Sequence, residues 1–458
     1  MGTGGRQRAV VIGLDGVPAS YLRERVAAGT MPALAELLRA GRLLSMDSSV
    51  PPVSGVAWAS LSTGVNPGRH GIYGFTELRP GTYDLRFPNA TSLLVPPVWD
   101  RLVDDGLHSV VLNVPGTYPA RAPAGSLLVS GFVSPRLTRS VSPPGWFPRV
   151  DELGYRTDVD AELDWNDSKA VAAELLDLTE VRRRLWWTAW DQVDWSLFWG
   201  VFTETDRLHH FHWGRRGEPW LDELLDDLYR AIDTHLGDVA ARLGDDDALF
   251  VVSDHGFAPI RAEVHLNHWL AEEGFLHFDG DHPTSLADIG PDTVAFALDP
   301  GRIYLHRQGR YPLGTVRPSD EGAVLADLVS GLEALRDPDR GEPALGPILL
   351  AGDVFSGPAL GDGPDLTVLP GPGYDPKGMV GAGQVFTRSK LTGMHSYDDA
   401  VCYVRGSGLP ERCRLEDVGA SVLAHLGGDT SHLDGEPVLL PGASGAPGGS
   451  AGPGQGLS

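Results

Sequence analysis

The chain has 458 residues, enough to bury a large core and long for one compact domain without insertions. Its formal net charge of -24 repels polyanions, which excludes a nucleic-acid-binding role built on phosphate contacts. A hydrophobic content of 42% with 21% charged residues is that of a soluble enzyme, and two cysteines, Cys402 and Cys413, exclude a disulfide framework.

The amino terminus reads as a short polar lead without the apolar core of a signal peptide, and no run approaches the length of a membrane span. A cytoplasmic protein without membrane contact is expected. Ala9-Val10-Val11-Ile12-Gly13-Leu14 then reads as a strand buried on both faces, and it runs into Asp15. An amphipathic helix is predicted from Pro32 to Ala40. In Pro51-Pro52-Val53-Ser54-Gly55 the prolines hold the approach extended, and a helix is predicted to start near Gly55 with Ser54 at its N-cap or just before it. A hydroxyl there faces unpaired backbone N–H groups and the positive end of the helix dipole, a good place for a phosphate oxygen. Alone, Ser54 reads as a simple helix cap.

Further strands are predicted at Ser109 to Val114, at Trp195 to Phe202 shortly before Thr205-Asp206, and at Ala248 to Val252. Asp206 and His210 stand at i and i+4, so on a helix they share one face and can grip one cation; alone they read as a solvated pair. A second amphipathic helix is predicted from Leu221 to Leu243. Asp254 and His255 stand where a strand ends. As neighbours they are expected to diverge, each able to serve a different cation. His395 follows a glycine turn late in the chain. Nitrogen and oxygen donors without thiolate suit Zn²⁺ best and Mn²⁺ next.

Alternating strands and helices predict an α/β fold, a doubly wound, mostly parallel sheet with helices on both faces. The core is expected to span 1–261 and 386–441, with an insertion at about 76–165. An inserted cap at 262–385 is expected to set specificity, and a disordered Gly/Ser/Ala/Pro tail is expected at 442–458. Trp58 reads as core packing, His70 as a loop-shaping residue, Asp245-Asp246-Asp247 as an exposed loop and Cys402 as a buried hydrophobe. His265, His268, His306, His425 and His432 lack partner spacing and read as structural.

The ordered set GLDG, PPVSGVAWASLSTGVNPGRHGI, TDRLHHFHW, SDHGF and TGMH resembles the alkaline phosphatase superfamily, and within it the type I phosphodiesterase/nucleotide pyrophosphatase branch. The likeness runs from about residue 8 to about residue 440 and includes VWDRLVDDGLHSVVLNVPGTYP, LNHWLAEEGFL and LEDVGASVLAHLGG. It implies an alkaline-phosphatase-like fold and two divalent cations, one held by Asp15, Ser54, Asp254 and His255, the other by Asp206, His210 and His395. It implies that Ser54 is the nucleophile that becomes transiently phosphorylated, with the Gly55 amide supporting the oxyanion. Branch members often have Thr at the nucleophile position. The nucleotide pyrophosphatases place an Asn after the His-Gly-Ile segment, and here Phe75 stands at that position.

The expected activity is therefore a two-metal phosphoester hydrolase of the phosphodiesterase or nucleotide pyrophosphatase type, acting on a small phosphorylated metabolite or nucleotide. The loss of the Asn keeps a phosphomonoesterase open. A sulfatase is disfavoured, because Ser54 is followed by Gly55-Val56-Ala57-Trp58 and not by a Pro-x-Arg segment. A non-catalytic relic is the reading from a different class, and the filled ligand set argues against it.

Overall fold

Alternate residues of the strand Ala9–Leu14 face two separate cores. Val10, Ile12 and Leu14 pack with Leu175, Trp186, Leu225 and Ile232 on one side, and Ala9 and Val11 pack with Trp58, Leu61, Val418 and Val422 on the other. Period-two alternation with both faces apolar gives the continuous hydrophobic run seen in the sequence. The computed structural model describes residues 7–439; the expected tail at 442–458 lies outside them.

The strand sits in a nine-stranded sheet. From edge to edge the order is Arg412–Cys413, Gly41–Met46, Ala400–Arg405, Ala248–Val252, Ala9–Leu14, Leu197–Phe202, Ser109–Leu112, Leu127–Val129 and Val141–Ser142. The five strands from Ala248–Val252 to Leu127–Val129 are parallel. Ala400–Arg405 pairs antiparallel with both of its neighbours, and Val141–Ser142 closes the far edge antiparallel. Helices Pro32–Ala40, Ser168–Gln192 and Pro219–Ala240 cover one face, and helices Ser54–Thr63 and Leu415–His425 the other. This is the doubly wound, mostly parallel α/β sheet expected.

Two expectations are corrected. The stretch 76–165 is not an insertion as a block, because its strands Ser109–Leu112, Leu127–Val129 and Val141–Ser142 continue the central sheet. The last two have three and two residues, too short for a periodic signal. Residues 262–385 do carry their own four-stranded antiparallel sheet, in the order Ala295–Leu298, Arg302–Leu305, Leu366–Pro370, Leu345–Leu350. It has its own core around Phe296, Ile303, Leu328 and Val368. The acidic run is also not wholly exposed, since Asp247 is buried and pairs with Arg8 at 2.6 Å.

Gly13 lets the helix Ser54–Thr63 approach the first strand. A Cβ there would lie 2.5 Å from Trp58 Cη2 and 2.7 Å from Val201 Cγ2. Gly13→Ala should therefore destabilise the fold by roughly 1–3 kcal/mol through overpacking. Chemical denaturation of the variant checks this, and a midpoint equal to the parent's would show that Trp58 yields freely.

Candidate metal centre

Three adjacent parallel strands end at one crevice, and each delivers a carboxylate: Asp15 after Ala9–Leu14, Asp206 after Leu197–Phe202, and Asp254 after Ala248–Val252. The crevice outside the carboxyl ends of parallel strands is where open α/β sheets bind ligands. All three carboxylates are buried. Asp206 lies in the first turn of helix Glu204–His212, with His210 one turn later on the same face, as the spacing predicts. His395 comes from the strand Gly393–Ser396, which pairs antiparallel with Gly256–Pro259 so that His395 stands opposite Phe257.

Ser54 is the first helical residue of Ser54–Thr63, and Val53 is the N-cap. The predicted start is thus one residue late, because the extended Pro51-Pro52-Val53 segment ends abruptly. Ser54 caps nothing. Its hydroxyl lies 3.3 Å from both Asp15 Oδ1 and His255 Nε2.

The expected divergence of Asp254 and His255 does not occur, since His255 Nε2 is 3.2 Å from Asp254 Oδ2. The chain leaves strand geometry after Val252. Ser253 exchanges hydrogen bonds with Val401 through both its amide and its hydroxyl, and Ser48 donates to the Asp254 carbonyl at 2.7 Å. The backbone turns there, and both side chains converge on Asp15 and Ser54.

A second set of atoms converges beside the first. His395 Nε2 is 2.9 Å from His210 Nε2 and 3.3 Å from Asp206 Oδ1, and His210 Nε2 is 3.5 Å from the same oxygen. The His255 and His395 rings stack at 3.6 Å between centroids, so the two sets share a wall. In all three histidines Nδ1 faces a backbone carbonyl: Gly393 for His210, Gly256 for His255 and Pro52 for His395. A carbonyl only accepts, so each Nδ1 carries a hydrogen and each Nε2 is the atom turned into the site.

The donor set fits divalent cations. Asp206 Oδ1 and Asp254 Oδ2 are buried with no hydrogen-bond partner, while the Nε2 atoms of His210 and His395 face each other at 2.9 Å. Groupings able to hold a cation are Asp15, Asp254 and His255, and Asp206, His255 and His395. The electrostatics agree. Burial, then the charges of Asp254 and Asp206, push Asp15 well above the usual carboxylate range. Burial likewise pushes Asp254 up to about 7, with Asp206 adding to it. Burial works the same way on Asp206, but His210, His395 and Arg207 hold it well below its ordinary value. Burial lowers His210 to about 4 and His255 further, which keeps both neutral and ready to ligate. Burial opposes a charge on His395 too, yet Asp206 and Asp254 raise it.

All seven residues singled out in the sequence are thus brought together. Several supporting groups were not. Trp58 Nε1–H donates to Asp15 Oδ2 at 3.0 Å, so Trp58 does more than pack. Its signal was position, one helical turn after Ser54 and opposite Gly13. The Gly16 amide donates to Asp254 Oδ1 at 3.0 Å. Gly16 has φ +66, and a Cβ there would lie 3.0 Å from Asp206 Oδ1, so only glycine suits the turn. Thr205 donates to the Asp15 carbonyl at 2.6 Å. Arg207 pairs twice with Asp158 and stands 3.8 Å from Asp206. His70 binds no site atom; it accepts from the Ile72 amide and faces the Ser60 hydroxyl, shaping the loop as expected.

A family model described as type I phosphodiesterase/nucleotide pyrophosphatase matches residues 9–398. Among solved structures, the chain is similar to phosphonoacetate hydrolase from Sinorhizobium meliloti 1021 in complex with phosphonoformate. That likeness has a TM-score of 0.61 and 18% identity, and covers 90% of this chain and 94% of that one. It is also similar to an inactive murine ectonucleotide pyrophosphatase/phosphodiesterase 5 in complex with AMP, with a TM-score of 0.55, 14% identity, and coverage of 94% and 97%. At these identities the structural likenesses show the fold. No curated protein sequence matches. No helix among the described residues is long and apolar enough to cross a membrane.

Two outcomes are expected. Trp58→Phe keeps the packing but removes the donor to Asp15, and should weaken metal affinity about 10–100-fold in a chelator competition titration. In protein stripped of metal, the folded state holds a proton on Asp254 between its ordinary 3.8 and about 7 that the unfolded chain has released. Stability should therefore fall as pH rises through that window. Asp254→Asn should flatten the fall, because Asn retains an acceptor for Gly16 and carries no charge. Thermal unfolding across pH checks this; a variant with the parent's slope would assign the loss elsewhere.

Proposed function

The chain belongs to the type I phosphodiesterase/nucleotide pyrophosphatase family and is a metal-dependent phosphoric ester hydrolase; from that premise we propose that it cleaves a small phosphorylated metabolite or nucleotide through a phosphorylated Ser54. The observation that carries the reading is the convergence of Ser54 Oγ, Asp15 Oδ1 and His255 Nε2 beside two further buried carboxylates, Asp206 and Asp254. Asp15, Ser54, Asp254 and His255 would hold one divalent cation, and Asp206, His210 and His395 a second, most suitably Zn²⁺, with Mn²⁺ the next choice for this donor set. When bound, such cations supply Lewis acidity that favours the alkoxide and stabilises developing charge on the phosphoryl and leaving oxygens.

Ser54 is placed to act as nucleophile because its hydroxyl is buried, uncommitted to capping and aligned by Asp15. Its oxygen forms a bond to phosphorus as the ester oxygen leaves with the electron pair. Water then breaks the phosphoserine bond, giving phosphate or a phosphomonoester and restoring the hydroxyl. Gly55 lies in the first turn, where amides have no intrahelical acceptor, and its N–H supports a phosphoryl oxygen. Trp58 and Gly16 hold Asp15 and Asp254 without neutralising them.

Diester or pyrophosphate cleavage is the first reading, and a phosphomonoesterase the second. Phe75 favours keeping the second, because an apolar ring stands where the nucleotide pyrophosphatases resembled by the sequence carry an amide donor. Ser54→Ala should lower turnover by roughly 10³-fold or more while bound metal, read by mass spectrometry, stays near the parent's content. Full activity in that variant would remove Ser54 as nucleophile. Parallel assays with 4-nitrophenyl phosphate and bis(4-nitrophenyl) phosphate decide between the two readings.

A further inference from the structure

Beside Ser54 the surface opens into a cleft that no ionisable side chain lines. Its floor is the helix that carries Ser54, through Gly55 and Ala59, and its walls are Phe75, Phe87, Trp99, Phe132 and Val133. Phe75 and Phe87 meet edge to face at 5.3 Å. They are 39% and 55% exposed, and Val133 is 42% exposed, a concentration of large apolar groups in contact with water. Of the polar side chains at the cleft, Ser62 and Thr117 are engaged by their own chain through their hydroxyls, and Asn89 through its Oδ1. Ser62 donates to the Ala59 carbonyl, Thr117 to the Val114 carbonyl, and Asn89 Oδ1 accepts from the Thr91 amide. A charged or hydroxyl-rich group entering here would lose its hydration and find little in return.

The walls are pre-set. The segment carrying Phe75 is held from the 262–385 region by Arg302, which is buried, lies against the Gly74 backbone and donates to the Thr76 carbonyl at 2.7 Å. At its other end His70 accepts from the Ile72 amide at 3.1 Å, and the Tyr73 amide donates to Glu77 at 3.2 Å. An apolar surface ordered before binding gains affinity because little freedom is lost when a ligand arrives.

Resting on the phosphoester-hydrolase reading of Ser54, we propose that this cleft is the subsite for the substrate's organic group, and that the group is an uncharged apolar one, an aromatic ring or branched hydrocarbon. Phe75 is its specificity-determining residue. The chain thereby selects aryl or hydrophobic phosphoesters over substrates with a second charged group near phosphorus.

The test uses three probes with one head group and no hydrolysable ester: methylphosphonate, phenylphosphonate and phosphonoacetate, titrated into metal-loaded protein by calorimetry. Phenylphosphonate should bind at least about tenfold tighter than methylphosphonate, and phosphonoacetate no tighter than methylphosphonate. Phe75→Ala and Val133→Ser, both at exposed positions and neither adding a charge or an amide donor, should each cut the phenyl preference to within about threefold while methylphosphonate affinity stays put. Equal binding of the three probes, tighter binding of phosphonoacetate, or a phenyl preference that survives both substitutions overturns the proposal. The measurement needs no turnover. A protein that keeps the phenyl preference but hydrolyses neither nitrophenyl ester retains the subsite and refutes the hydrolase reading, and one that hydrolyses them but binds the probes alike does the reverse.

Discussion

Mutual repulsion among Asp15, Asp206 and Asp254 is the constraint around which the molecule is organised. Each is buried, and each follows a strand adjacent to another in the sheet, Asp15 and Asp254 closely and Asp206 in the first turn of the next helix. Burial first, and then these like charges, raise the proton affinity of Asp15 and Asp254, whereas His210, His395 and Arg207 hold Asp206 low. The nearest fixed cation, Arg207, is committed to Asp158 by two hydrogen bonds and reaches Asp206 only at 3.8 Å. The Trp58 indole, the Gly16 amide and the imidazoles of His210 and His255 are neutral, and only His395 is drawn toward the charged form by Asp206 and Asp254. Such groups orient carboxylates without cancelling their charge. The protein has built a site whose charge deficit is left for a ligand to fill, which is the usual relation between a catalytic centre and the stability of its scaffold.

The sheet makes this arrangement rigid. Strands buried on both faces hold the three exits in register, with Ala9 opposite both Leu197 and Ala248. The exits are then fixed one by one: Thr205 on the Asp15 carbonyl, Ser48 on the Asp254 carbonyl, Ser253 on Val401. His395 reaches the site only because the hairpin of Gly256–Pro259 with Gly393–Ser396 brings back a segment from beyond residue 385. Close approach at Gly13 sets the depth of the Ser54 helix, and with it the Trp58 to Asp15 hydrogen bond.

What the sequence made legible follows from the same physics. Strands buried on both faces must be continuous apolar runs, so Ala9–Leu14 and Ala248–Val252 were readable to the residue. A carboxylate at such a strand's end is rarely placed for packing, and Asp206 with His210 carry a helical spacing that survives folding unchanged. The rest depended on tertiary geometry. The convergence of Asp254 with His255 required the chain to leave extended geometry after Val252, and nothing local encodes the Ser48 and Val401 contacts that turn it. Trp58 looked like core because its indole is core; its N–H partner lies across a gap that only Gly13 permits. The strands at 127–129 and 141–142 are too short to carry a period, so a Pro- and Gly-rich stretch concealed part of the central sheet.

In the proposed reading, chemistry and selectivity are physically separated in this fold. The charged centre sits on strand ends whose neighbours are fixed by backbone hydrogen bonds, so substitutions there act on the fold and the site together. Most of the apolar cleft's wall, Phe75, Phe87, Phe132 and Val133, lies on connecting segments, and Phe75 owes its position to Arg302 in a sheet with an independent hydrophobic core. Arg302 is fully buried, and its guanidinium also contacts Tyr304 and the Asp299 carbonyl. Its reach into the 74–76 backbone is therefore set by the packing of the 262–385 region. Changes in that region can shift Phe75 without touching any carboxylate. A family using one metal-binding framework for different esters needs such an arrangement, because the charge balance of the centre tolerates little variation while the wall beside it tolerates a great deal.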